Sequence, residues 1–285
     1  MKWIHLALVL TLFTFSNSHA CVGDQDGLMF FPANDLRIPV GLKGVGGIDK
    51  AAFNEVLDQA QSLFENKIKQ QGFTLRVNRL WTNEQVNAQA SAGGELSFYG
   101  GLARHPDMSR DGFALAVCHE IGHLIGGFPK YPGSRLSAES QSDYYGTLKC
   151  LRQMFLNDDN RAAVARLNPP RTLKQNCTAA HGVSEDRDIC IRSGLAAAQL
   201  ATLLAKVTKE STMPGLDLQD SRVVPRTLAS YPSAQCRLDT FLQGALCEKG
   251  LNEEVSQTEE VRGSCHQSTG QRIGLRPACW FKVKP

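Results

Sequence analysis

The sequence predicts an α+β fold: a small sheet, a helix carrying H-E-x-x-H, a helix carrying E-x-x-x-D, and a disulfide-stapled C-terminal extension. Three observations carry this. Residues 48–72 place Phe53, Val56, Leu57, Ala60, Leu63 and Phe64 at helical spacing, and "FTLRVNRLW" (73–81) then alternates as a strand does. "SRDGFALAVCHEIGHLIGG" and "LSAESQSDYYGTLKCLRQMF" both read as helices with polar groups repeating one turn apart. Four of the nine cysteines, Cys236, Cys247, Cys265 and Cys279, fall in a Gly- and Pro-interrupted tail.

The elements follow in order. Residues 1–20, "MKWIHLALVLTLFTFSNSHA", have a basic start at Lys2, an apolar run over 3–15 and a small-x-small end at Ser18–Ala20. Those are the parts of a removable export signal, and the run is shorter than the ~20 residues a spanning helix needs. Cleavage makes Cys21 the first mature residue. Lipid anchoring at Cys21 is the lesser alternative, because Ser18 stands where lipoprotein signals carry a Leu-like residue. Residues 21–47 are rich in Gly and Pro and predict an irregular lead-in. Gly72 ends the first helix, and "NAQASAGGELSFYGG" (87–101) predicts two extended pieces hinged at Gly93-Gly94. A helix opens near Ser109 or Asp111 and stops at Gly126-Gly127; the next covers 136–155 with Ser137 as N-cap. Residues 156–190 read as polar loop around Pro169-Pro170, and a further helix covers 185–209. Its "GLAAAQLATLLAKV" is a small-residue core stretch, too short to cross a bilayer.

Composition narrows the function classes. Hydrophobic residues make up 42% of the 285 and charged residues 21%, a globular balance that can bury a core. The net charge of +3, with no long basic run, leaves no footprint for nucleic acid. Behind an export signal, periplasmic or secreted, cysteines form disulfides more than metal sites, and no C-x-x-C pair is present. The count is odd. Cys118, inside the histidine-bearing helix, is the expected unpaired thiol, leaving eight cysteines for four disulfides.

"CHEIGHLIGG" (118–127) sets His119 and His123 one turn apart, with Glu120 beside the first. Two imidazoles on one face can share a zinc ion, and the glutamate can reach a water on that metal. The bland alternative is a pair of helix histidines with no metal, so the third ligand decides. One class of zinc peptidases would place a third His at position 129, but the chain has Pro129 there. The other solution is a Glu on a following helix. "AESQSDYYG" supplies Glu139 and, one turn on, Asp143, which can accept the far N–H of a liganding imidazole.

With these motifs the chain resembles the HtpX-type and CAAX prenyl endopeptidase family of zinc metallopeptidases (metallopeptidase family forty-eight), within the gluzincins. "NAQASAGGELSFYGGL" resembles that family's substrate strand and "YPSAQCRLD" (231–239) its His-Pro-Ser…Arg segment. The resemblance covers roughly 48–240, a zinc metallopeptidase domain, with 241–285 as the Cys-containing extension. It implies one Zn2+ per chain on His119, His123 and Glu139, with Glu120 as general base. It also implies that Asn87, Ala88 and Ala90 offer edge-strand backbone to an extended peptide. Tyr231 stands where the family has a His near the metal, and a phenol can donate the same hydrogen bond to an oxyanion. Arg237 matches the family's Arg. Lacking the membrane spans of many members, the chain is similar to the soluble exported branch.

The expected function is an exported zinc-dependent endopeptidase acting on a protein or peptide. A catalytically silent peptide-binding or chaperone-like protein is the alternative, against which Glu120 argues. A disulfide-stapled structural protein with metal-free histidines is the third.

Overall fold

The computed structural model describes residues 28–41 and 46–283; the expected export signal and Cys21 lie outside the described residues. The sheet comes first. A short strand, β1 (Leu28–Met29), precedes α1 (Lys50–Gln70), whose start is fixed by Asp49 accepting from the Ala52 N–H. Phe53, Val56, Leu57, Ala60, Phe64 and Ile68 form its buried stripe, and Gly72 follows its end in the left-handed region (φ 78°). Then come β2 (Arg76–Leu80), β3 (Ala88–Ala90) and β4 (Glu95–Tyr99), joined in the order β1-β3-β4-β2. β2 and β4 run parallel, while β3 is antiparallel to both its neighbours. The turn through Gly93 and Gly94 separates β3 from β4, where the sequence places a hinge.

Two expectations fail at this sheet. The lead-in is not irregular throughout, and β3 is not an open edge, because β1 pairs along it with Leu28 opposite Ala90 and Met29 opposite Gln89. The reason lies in "LMFF" (28–31), an apolar run whose Phe30 and Phe31 are buried in the core.

A short helix, α2 (Gly100–Ala103), leads to α3 (Arg110–Ile125), capped by Ser109 and ending at Gly126. α3 has no solvent face: every residue from Gly112 to Ile125 is buried, packed against α1, β3 and the helices that follow. Next come α4 (Glu139–Tyr145), a π-helical turn (Gly146–Cys150) and α5 (Leu151–Phe155), in unbroken succession. Ser137 is not the cap; Ala138 holds that position. The Ser137 hydroxyl instead donates to the Gly127 carbonyl at 2.7 Å.

Residues 156–190 are not loop. They hold α6 (Asn160–Leu167) and α7 (Arg171–His181). Pro169-Pro170 only separates the two, since Pro170 precedes the first turn of α7, where a missing N–H costs nothing. α8 (Glu185–Thr208) is long and apolar enough to cross a membrane, yet 78% of its most apolar window is buried inside the protein. Its Arg192 pairs with Asp111 at 2.8 Å and Asp158 at 2.8 Å. α9 (Ala234–Leu246), capped by Ser233, runs through residue 240 and packs on α4 and α8, so the irregular extension starts at its end.

Four disulfides join Cys118–Cys150, Cys177–Cys190, Cys236–Cys279 and Cys247–Cys265. Cys118 is therefore paired, against expectation. Cys150 ends the π-turn packed on α3, and the two Cα atoms lie 5.4 Å apart, within bridging range.

Candidate metal centre

His119 and His123 project from one face of α3, and Glu139 meets them from the first turn of α4. The close approach of the two helices needs Gly122: a Cβ there would sit 2.9 Å from the Ser142 backbone. One donor atom from each of His119, His123 and Glu139 lies within 4.8 Å of the others. His119 Nε2 is 3.3 Å from Glu139 Oε1, and His123 Nε2 is 3.7 Å from Oε2.

The outer nitrogens each face a strong acceptor at the shortest distance, and Arg237 Nη2 lies farther from His119 Nδ1, at 3.3 Å. His119 Nδ1 lies 2.7 Å from Asp143 Oδ1. His123 Nδ1 lies 2.9 Å from the Ser137 carbonyl and 3.0 Å from Ser142 Oγ. A carbonyl or carboxylate accepts from N–H at Nδ1, which turns Nε2 of both imidazoles inward to the cluster, where a cation would take the place of any proton on Nε2. Arg237 on α9 braces Asp143 through two bonds, Nε to Oδ2 at 2.7 Å and Nη2 to Oδ1 at 2.6 Å. The Tyr131 hydroxyl donates to Glu139 Oε2 at 3.1 Å.

These groups fit a cation. His119 Nε2, His123 Nε2, Glu139 Oε1 and both Glu120 oxygens are buried with no hydrogen-bond partner, a concentration of unmet polar atoms that folded proteins rarely tolerate without a bound ion or water. Two imidazoles and a carboxylate are a donor set suited to zinc. A second group, Asp220, Cys236 and Cys279, offers no thiolate, since its cysteines are bonded to each other.

The electrostatics are those of a dry site. Burial pushes the Glu120 carboxyl up to about 8. Burial alone would lower His119, but the Glu139 and Asp143 carboxylates outweigh it and raise the imidazole to about 9. For His123 burial prevails, with the His119 charge adding to it, and the value falls to about 4. Asp143 is held below the usual carboxylate range: burial opposes ionisation, and Arg237 and His119 overcome it.

Glu120 sits beside the cluster, as its position after His119 implies. The residues expected at the peptide cleft behave differently. Ala88 and Ala90 are buried in the core, and β1 is paired along their strand. Asn87 grips that same segment: its Oδ1 accepts from the Phe31 N–H at 2.9 Å and its Nδ2 donates to the Phe31 carbonyl at 3.0 Å. Tyr231 donates its hydroxyl to the Met29 carbonyl.

The sequence reading missed Phe30, Tyr131, Ser137 and Ser142. Phe30 packs edge-on against His119 with ring centroids 4.8 Å apart. The apolar run "LMFF" signals a buried segment there, and Ser142 lies one turn from Glu139. Nothing local marks Tyr131 or the Ser137 carbonyl. No protein-family model, curated protein or solved structure matches this chain.

Proposed function

We propose that the protein is an exported zinc-dependent endopeptidase, related to metallopeptidase family forty-eight. The observation that carries this is the convergence of buried His119 Nε2, His123 Nε2 and Glu139 Oε1, none with a hydrogen-bond partner, beside a Glu120 carboxylate that also has none. The four disulfides support an oxidising, extracytoplasmic address.

His119, His123 and Glu139 would hold the ion, one per chain. When bound, zinc supplies Lewis-acid activation of a water and a positive charge that draws the Glu120 carboxyl back toward its ordinary range. Glu120 takes a proton from the attacking water and hands it to the leaving amine. Asp143, held by Arg237, keeps His119 in the tautomer that faces the ion. The Ser137 carbonyl does the same for His123. Tyr231, once released from Met29, has a hydroxyl to offer the developing oxyanion.

A second reading, a peptide-binding protein without turnover, is favoured by the pairing of β3 with β1, which fills the expected substrate edge. Glu120→Gln separates the two. The variant keeps all three ligands but cannot accept a proton, so hydrolysis of a broad peptide library per bound zinc should drop by at least about 100-fold. Equal turnover in both proteins removes Glu120 as base, and zinc-loaded wild type without turnover favours the binder.

A further inference from the structure

Residues 28–31 engage β3, Asn87, Tyr231 and Arg237 beside the metal cluster. β1 lies antiparallel on β3, and the pairing continues past it: the Phe30 N–H donates to the Ala88 carbonyl at 3.0 Å. Arg237 Nη1 donates to the Phe30 carbonyl at 2.8 Å, and Tyr231 donates to the Met29 carbonyl. Asn87 holds both backbone groups of Phe31. The Phe30 ring stands edge-on to His119, 4.8 Å between centroids, and under the Arg237 guanidinium at 4.7 Å. Its neighbours His119, Glu120, His123 and Glu139 are all fully buried. A peptidase needs a route to these groups, and residues 28–31 are among the segments packed over them.

We propose that residues 28–31 are a self-supplied peptide strand that fills the binding edge of β3, and that an extended peptide with an aromatic side chain at the Phe30 position displaces it. The proposal rests on the peptidase reading for its consequence, latency of the metal centre. Its structural content, a displaceable strand, is separate. The contacts themselves define the ligand class. All five of these bonds go to main-chain groups of the strand and so accept any sequence, whereas the space between His119 and Arg237 is filled by a ring. Edge-on packing against an imidazole and a guanidinium above the face favour an aromatic there over an aliphatic side chain.

The test compares zinc-loaded mature wild type with Phe30→Pro, which removes the N–H to Ala88 and the ring but no metal-cluster group. Zinc release to excess 1,10-phenanthroline reads access without requiring turnover. Release from the variant should be faster by at least about tenfold, since one net hydrogen bond lost from the closed strand already shifts its opening by close to that factor. A synthetic peptide of residues 28–34, LMFFPAN, should slow release again, and LMGFPAN should not. Equal release from both proteins, or equal effects of the two peptides, overturns the proposal. Circular dichroism and zinc content verify that the variant is folded; should it not be, Asn87→Ala, which loosens the strand at Phe31, takes its place under the same criteria. Protein that takes up no zinc would sink the metal reading, and zinc-loaded variant with an opened site but no peptide hydrolysis would sink the peptidase reading while leaving the displaceable strand intact.

Discussion

Asp143 serves His119 and Arg237 at once, through Oδ1 at 2.7 Å to the imidazole and both oxygens to the guanidinium. Asp143→Asn keeps the shape but removes the charge that orients His119 and opposes Arg237. Partners of this kind typically change metal affinity 10–100-fold, so zinc competition against a chelator should show a loss of about that size in a folded variant. Unchanged affinity would mean that packing alone orients the imidazole. At this scale the sequence was informative where chemistry repeats with helical period: His119, Glu120 and His123 on one helix, Glu139 and Asp143 on the next. It was silent where a backbone group does the work. The Ser137 carbonyl would be there for any residue type, and Tyr131 comes from a segment with no period.

Between elements, the bridge from Cys118 on α3 to Cys150 at the π-turn closes a separation of 32 residues. Replacing both cysteines by Ala should lower unfolding stability by about 3–4 kcal/mol in the chain-entropy picture, read as a shift of the denaturant midpoint. No shift would mean that α3 and the π-turn are already held by packing. A second clip lies at the start of α9, where Asp220 accepts from Arg222 Nε at 2.9 Å and from the capping Ser233 hydroxyl at 2.7 Å. Arg222 foremost holds the Asp220 carboxyl down at about 2. A carboxylate depressed in the folded state stabilises above its unfolded value of about 4 and ceases to as pH falls through about 2. The stability gap between wild type and Asp220→Asn should therefore be full at pH 6 and shrink through that acid window; a gap independent of pH would refute the assignment. Periodic elements such as α1, α3 and α8 were legible in advance. α6 and α7 were not, because Pro169-Pro170 has the look of a loop although Pro170 only precedes the first turn of a helix.

For the whole molecule, the α+β class and the succession of helix, strands, H-E-x-x-H helix and Glu-bearing helix could be read from periodicity. Partners far apart in sequence could not: β1 pairs with β3 across some sixty residues of chain, and the cysteine pairing depends on packing that no local pattern encodes. The cluster of His119, His123 and Glu139 sits where α3, α4 and α9 meet, so a cation there links the centre to global stability. At a free concentration of 100 times its dissociation constant, a bound ion adds about 2.7 kcal/mol, and a chelator should lower the melting temperature accordingly. Metal content measured by native mass spectrometry tests the ligand set of His119, His123 and Glu139. One zinc ion on wild type and on Glu120→Gln, with none retained by His123→Ala or Glu139→Ala after dialysis, is the predicted result; full occupancy in either ligand variant, folded as wild type, would contradict it.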